Sequence, residues 1–299
     1  MGSKSLSDDV RAGRVLYGND FTGSLLTEWF ASEQEGYYAL HTGYYADRAD
    51  GDHFTYEALN WAHGAPLRGE RWEVCLAMGP ADGQEFPSLG FDVGRIIAIE
   101  PAKGFWSDKV GGIPAEYRVP TLDGTIKLPD ASVDLVISLG VLHHIPNVEY
   151  VISELARVLK PGGRMLIREP IASLGDFTKP RPGMTANERG IPVKLMRGYM
   201  EQVSLSVDDT IYASCAIPQV LARVFKLKPF RSPVFVSIDR AMSHAMAWNN
   251  RYWRKSFKDK IAPAMAAYIV TKQIPNMKVD ACVIEAEGIA PGIDKVNGT

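Results

Sequence analysis

The run from Leu128 to Pro170, LPDASVDLVISLGVLHHIPNVEYVISELARVLKPGGRMLIREP, admits few folds. After Asp134, the residues Leu135-Val136-Ile137-Ser138 form a short apolar strand without polar alternation, as burial on both faces requires. His143 and His144 follow in the loop beyond its carboxyl end. From Val148 to Leu159, apolar residues recur at helical spacing at Val151, Ile152, Leu155, Val158 and Leu159. Lys160-Pro161-Gly162-Gly163 stops that helix, and Arg164 to Arg168 opens the next strand. Strand, helix, turn and strand make one βαβ half of an open parallel sheet, in which ligands bind outside the carboxyl ends of the strands.

Two earlier strand ends fit the same scheme. Val74 to Met78 reads as a buried strand followed by the turn Gly79-Pro80-Ala81-Asp82-Gly83. Ile96 to Ile99 reads as the next, ending at Glu100-Pro101. A carboxylate at that strand end, about twenty residues past a glycine turn, suits paired hydrogen bonds to a ribose diol. Thr121-Leu122-Asp123-Gly124 is an Asp-Gly turn at what would be a third strand end.

Taken in order, LPDASVDLVIS, the histidine loop and KPGGRMLIREP resemble the second half of class I S-adenosylmethionine-dependent methyltransferases, in particular the type 11-like group that acts on small molecules. The resemblance spans about residues 72 to 172. It implies a doubly wound, mostly parallel seven-stranded α/β sheet with S-adenosylmethionine at its carboxyl edge. It also implies that Gly79, Ala81 and Gly83 form the cofactor turn, that Glu100 holds the ribose hydroxyls and that Pro101 lines the adenine. Asp123 with Gly124 would meet the adenine amino group, and Ser138, Leu139 and Gly140 would run beside the methionine part. The family pattern has glycine where this chain has Ala81, and an acid where it has Ala77. Asp82 or Glu85 is then the candidate counter-charge for the methionine ammonium group.

Methyl transfer from a sulfonium needs mainly in-line alignment and exclusion of water, plus a base where the acceptor is a hydroxyl. His143, His144 and Glu169 lie where such a base is required. Tyr37, Tyr38, Tyr44 and Tyr45, flanked by Gly36 and Gly43, are candidates for a flap over cofactor and acceptor, with His41 and His53 nearby. The downstream section, through AWNNRYWRKSFKDKIAPAMAAYIVTK, resembles extensions of methyltransferases from sugar and natural-product biosynthesis. Arg181, Arg189, Arg251 and Arg254 are the cations available there for an anionic acceptor.

With 299 residues, 46% of them hydrophobic, the chain can bury a large core, and its net charge of −2 gives no broad field for nucleic acid or an anionic membrane. No apolar run is long enough to span a bilayer, and the first ten residues hold no apolar signal core. Cys75, Cys215 and Cys282 lack metal-ligand spacing, so no metal is expected and a reduced cytoplasmic setting is. A homo-oligomer is compatible with all of this. Residues 1–70 read as an aromatic-rich cap, 71–172 as the cofactor-binding core and 173–299 as a lid and helical extension completing the sheet and pocket. Helices are expected at Thr22 to Ser32, Thr55 to His63, Pro192 to Gln202, Pro218 to Phe225 and Ile238 to Ser256, with a late strand at Ala264 to Lys272. Two other readings compete. A nicotinamide-binding enzyme requires Gly-x-Gly-x-x-Gly, which the turn at Gly79 does not supply. A methyltransferase fold degenerated to a binding or regulatory protein would account for Ala77 and Ala81.

Overall fold

The computed structural model describes residues 6–40, 56–173 and 175–274. Three helices come first: α1 (Asp8–Arg11), α2 (Ser24–Ala39) and α3 (Glu57–Gly64). Then follow β1 (Arg71–Met78), β2 (Asp92–Ile99), β3 (Lys109–Val110), β4 (Ile113–Arg118), β5 (Val133–Leu139), α4 (Val148–Val158) and β6 (Leu159–Pro170). The chain continues through α5 (Val193–Gln202), β7 (Leu205–Cys215), α6 (Ala216–Val224), α7 (Pro233–Ala245), α8 (Phe257–Lys260) and β8 (Pro263–Lys272).

The strands form one eight-stranded sheet in the order β3-β4-β2-β1-β5-β6-β8-β7. Pairings within β4-β2-β1-β5-β6 are parallel, whereas β3 on β4, β8 on β6 and β7 on β8 are antiparallel. The eighth strand, beyond the seven expected, is the short β3, which hairpins onto β4.

Side-chain alternation along the central strands divides the core into two layers. Leu76, Met78, Ile97, Ile99, Val136 and Ile167 face α4 and α5. Cys75, Ala77, Ile96, Ala98, Leu135 and Ile137 face the other way, with Leu67, Trp72, Phe86 and Leu89. The connections β1 to β2 and β2 to β4 carry 3-10 turns, Phe86–Leu89 and Lys103–Phe105, in place of α-helices, the second turn being followed by β3. On that face α3 packs on the first of these turns and on α7, which in turn lies on β7.

The turn after α4 behaves differently from a plain stop. Val133 pairs with Leu159 and Leu135 with Arg164, so Lys160–Gly163 bulges out opposite Asp134. Lys160 Nζ then closes on Asp134 at 2.6 Å. Helix α7 starts earlier and ends earlier than the expected Ile238 to Ser256. Ser232 caps its N-terminus by accepting the Phe235 N–H, with Pro233 at the first helical position, a start signal that apolar periodicity alone does not register. Strand β7 was not expected. Asp208-Asp209 breaks its apolar pattern, and a register shift lies between Val207 and Asp209; as an edge strand it tolerates both.

Candidate functional site

At the carboxyl edge of the sheet, the loop after β5 is held from both sides of its backbone. The fully buried Glu169, ending β6, accepts the N–H groups of Val141 and Leu142 at 3.0 and 2.9 Å through Oε1 and that of His143 at 3.3 Å through Oε2. The loop's carbonyls are gripped by Arg189, which donates to His143, Ile145 and Pro146 and reaches the Tyr17 carbonyl as well. Trp29 of α2 donates its indole N–H to the His144 carbonyl at 2.7 Å. Buried amides and carbonyls need such partners, so the loop has one conformation and its two rings one direction.

Each ring is then fixed by a carboxylate. His143 Nδ1 lies 2.7 Å from Glu169 Oε2, and His144 Nδ1 lies 2.9 Å from Glu33 Oε2. Glu33 also accepts from the Thr185 hydroxyl and the Asn187 N–H. A third carboxylate, Glu188, approaches His143 Nε2 at 3.7 Å and accepts the Thr185 N–H. Burial by itself would lower the His143 pKa, but hydrogen bonds and charges from Glu169 and Glu188 outweigh it and lift the ring to about 9. Burial raises Glu188, and its hydrogen bond with His143, with the charges of both histidines, brings it down to about 2. His143 is therefore an imidazolium at neutral pH in this arrangement. His144, whose side chain is 28% exposed against 8% for His143, is the ring open to solvent.

The second half of the site lies over β1, β2 and β4. A cavity of about 380 Å³ is floored by Met78, Ile99 and Val151 and rimmed by Thr121, Gly124 and Thr125, with Phe30 and Ile145 at its sides. Glu100, at the end of β2, accepts the N–H of Ala81 at 3.1 Å and that of Ala102 at 2.8 Å, so its carboxylate ties both strand-end turns together. Burial raises its pKa, against the lowering effect of those two amides. Each of its oxygens retains a lone pair beyond these bonds. Gly79 has φ +51°, and a Cβ there would come within 2.9 Å of the Val141 side chain, so a larger residue would press the turn off the histidine loop. The hydroxyl of Ser138, fully buried, has no hydrogen-bond partner among the described residues. An apolar cavity, the strand-end carboxylate of Glu100 and the unsatisfied buried hydroxyl of Ser138 lie along this edge of the sheet, the kinds of groups a nucleoside with a polar tail requires.

The expected residues take varied places. Asp123 is exposed and its carboxylate caps its own turn, accepting from the N–H and hydroxyl of Thr125. Ala77 points into the second apolar layer, which explains the absent acid: a carboxylate there would be buried against Ile96 and Leu135 without a partner. Glu85 does not replace it, since it pairs with Arg168 at 2.6 Å and accepts from Asn60. Asp82 turns to the Gln84 side chain and N–H. Tyr37 sits exposed on α2, edge-on to Phe105 at 6.2 Å between centroids. The side chain of Tyr38, and Tyr44, Tyr45, His41 and His53 entirely, lie outside the described residues. Of the arginines expected to serve an anionic acceptor, three are engaged by backbone carbonyls, and Arg251 is largely exposed. Arg189 is fully buried on carbonyls, Arg181 donates to the Thr185 and Glu188 carbonyls, and Arg254 donates to those of Arg251 and Pro263. Arg251 faces Asp259 at 3.7 Å. Glu33, Glu188 and Trp29 join the site although no local sequence pattern marks them. They lie more than 40 residues from the histidines on either side, where only a three-dimensional fold reveals them.

Residues 76–167 match the family model described as a methyltransferase domain. Over 49 residues the chain is 51% identical to the 27-O-demethylrifamycin SV methyltransferase of Amycolatopsis mediterranei, a stretch covering 16% of this chain and 15% of that protein. Over 106 residues it is 30% identical to a protein of Mycolicibacterium smegmatis described as an S-adenosylmethionine-dependent methyltransferase, covering 34% of this chain and 41% of the relative. The chain thus matches less than half the length of either curated relative. One chain of a solved complex between the Haloferax volcanii Trm112 methyltransferase activator and a protein described as a methyltransferase superposes with a TM-score of 0.50 at 14% identity, over 78% of this chain and 98% of that one. At that identity the likeness concerns the fold.

Proposed function

Residues 76–167 being a methyltransferase domain, we propose that this chain moves the methyl group of S-adenosylmethionine onto a hydroxyl of a small molecule. S-adenosylmethionine supplies an electrophilic methyl on a sulfonium, so the protein has to align the acceptor, keep water out and take up one proton.

Glu100 is the proposed partner of the ribose hydroxyls, with Pro101 and Ala102 against the adenine. The cavity over Met78 and Ile99 accepts the base, with Gly124 lining it and Asp123 the proposed partner of the adenine amino group. Gly79, Ala81 and Gly83 bring backbone close to the cofactor. Ser138, Leu139 and Gly140 run beside its methionine part, where the unsatisfied Ser138 hydroxyl is a donor.

The observation that carries the oxygen reading is the His144–Glu33 contact at 2.9 Å at the open side of the histidine loop. A ring with one nitrogen on a carboxylate is held in the tautomer whose other nitrogen accepts a proton. His144 is the proposed base. His143, protonated at neutral pH, adds positive charge beside the developing alkoxide, and Glu169 positions both rings through the loop. Tyr37, with its neighbours on the same segment, is the proposed cover. The name of the Amycolatopsis relative refers to an O-demethylated compound, which is in keeping with a hydroxyl, rather than an amine, of a sugar-related or natural-product acceptor.

The test is transfer from isotope-labelled S-adenosylmethionine to matched hydroxyl and amine acceptors, read by mass spectrometry. Labelled ether with the wild-type protein, and its loss in His144→Ala with cofactor affinity retained, supports the reading. Transfer only to amines, or full turnover in His144→Ala, removes it.

A further inference from the structure

We propose that His143, His144 and Glu188 form a binding site for a divalent transition-metal ion of the zinc or cobalt type. One donor atom of each residue lies within 4.8 Å of the other two. Metal–ligand bonds of about 2.0–2.2 Å around a tetrahedral ion set donors roughly 3.3 Å apart, so small side-chain rotations close the set. Two imidazoles and one carboxylate, with further positions open, suit zinc, cobalt or iron(II) better than calcium or magnesium, which prefer oxygen ligands.

The surroundings strengthen the assignment. Metal-bound imidazoles characteristically give their other ring nitrogen to a carboxylate, which fixes the ring and raises its basicity. Both rings here have that support, His143 from Glu169 at 2.7 Å and His144 from Glu33 at 2.9 Å. Their Nε2 atoms become the donors, that of His143 by releasing to solvent the proton it carries in the metal-free arrangement, and it already faces Glu188 at 3.7 Å. The backbone carrying the rings is immobilised by Glu169, Arg189 and Trp29. The side chains of His144 and Glu188 are 28% and 17% exposed, so an ion has a way in and a face open to a further ligand. These ligands are scattered between residues 143 and 188, which cysteine spacing does not reveal.

What the ion does rests on the methyl-transfer reading: it would draw the acceptor oxygen and acidify it, taking that duty from His144. Binding of the ion does not rest on it, so the experiment omits S-adenosylmethionine. The full-length protein, stripped with a chelator, is titrated with cobalt(II) and followed by visible d–d absorption and equilibrium dialysis. One equivalent with micromolar or tighter affinity is expected. His144→Ala and Glu188→Gln should each weaken it by at least about tenfold, and His244→Ala should leave it unchanged. Uptake of no cobalt by the wild type, or equal affinity in all variants, overturns the site and leaves Glu188 as an ion-pair partner of His143. Should a variant fail to fold, histidine NMR of the wild type with zinc decides: shifts confined to His143 and His144 support the site, and shifts at other histidines instead overturn it.

Discussion

His143 Nδ1 and Glu169 Oε2 lie 2.7 Å apart, and the same carboxylate also accepts three consecutive backbone N–H groups, from Val141 to His143. One buried side chain at the end of β6 thus shapes the loop beyond β5 and aims the ring it carries. Glu169 appears in the sequence as a further candidate base. In the structure its lone pairs are turned to the loop, so the part proposed for it is to position His143 and His144.

Glu169→Ala should therefore lose stability and activity together. It leaves a buried imidazolium and three buried amides without their acceptor, and breaking a buried pair from one side costs about 3–5 kcal/mol. Urea unfolding monitored by circular dichroism measures this. A loss below about 1 kcal/mol would mean that the loop is held mainly from its carbonyl side.

Arg189→Met tests that other side. The guanidinium satisfies four carbonyls from Tyr17 and the histidine loop. A methionine of similar length removes every donor and leaves buried acceptors at about 1–3 kcal/mol each before relaxation. The variant should be less stable by several kcal/mol, with faster amide hydrogen exchange at Leu142 to Ile145 than elsewhere. Unchanged exchange there would show that Arg189 serves packing alone.

Ala81 occupies the middle of the glycine turn with φ +49°. A left-handed alanine costs about 1–2 kcal/mol, and glycine there gives back about 0.4–1 kcal/mol through its freer unfolded state. Ala81→Gly should raise stability by up to about 1 kcal/mol without weakening the cofactor. A fall in melting temperature would mean that the Ala81 methyl makes contacts worth more than the strain.

Burial raises the pKa of Glu100. A folded carboxyl with a raised pKa is easier to protonate than the unfolded one. Its contribution to stability is therefore present in full below the ordinary value, about 4.3, and is lost as pH rises through the raised one. Cofactor binding runs the opposite way, because ribose hydroxyls need the ionised acceptor. Affinity should fall as pH drops from neutral through that raised value, while Glu100→Gln should show a flat, weaker profile. A wild-type affinity that stays constant as pH falls from neutral into the ordinary carboxyl range would separate Glu100 from the ribose.

Much of the core was legible because its strands and helices state their own periods. Leu135 to Ser138, the stripe from Val151 and the terminal Glu100 each follow from local pattern, and the structure has them as β5, α4 and the end of β2, with Leu159 already the first residue of β6. What stayed hidden depends on distant residues. Glu188 and Arg189 sit in a Pro- and Gly-rich stretch that reads as a surface loop, yet Arg189 is fully buried under the histidines. Its burial follows from loop carbonyls that have no strand partner, a demand not written near it in sequence. The short connections between β1, β2 and β4 likewise required knowledge that α3 and α7 cover that face.

The measurement closest to the central claim is calorimetric titration of the wild-type protein with S-adenosylmethionine and S-adenosylhomocysteine, with NAD as control and Glu100→Ala alongside. The account predicts micromolar binding of the first two and none of NAD. It also predicts a loss of about 1–3 kcal/mol in Glu100→Ala, whose ribose partners are left unpaired. No binding of either sulfur compound by a folded wild-type protein would contradict it.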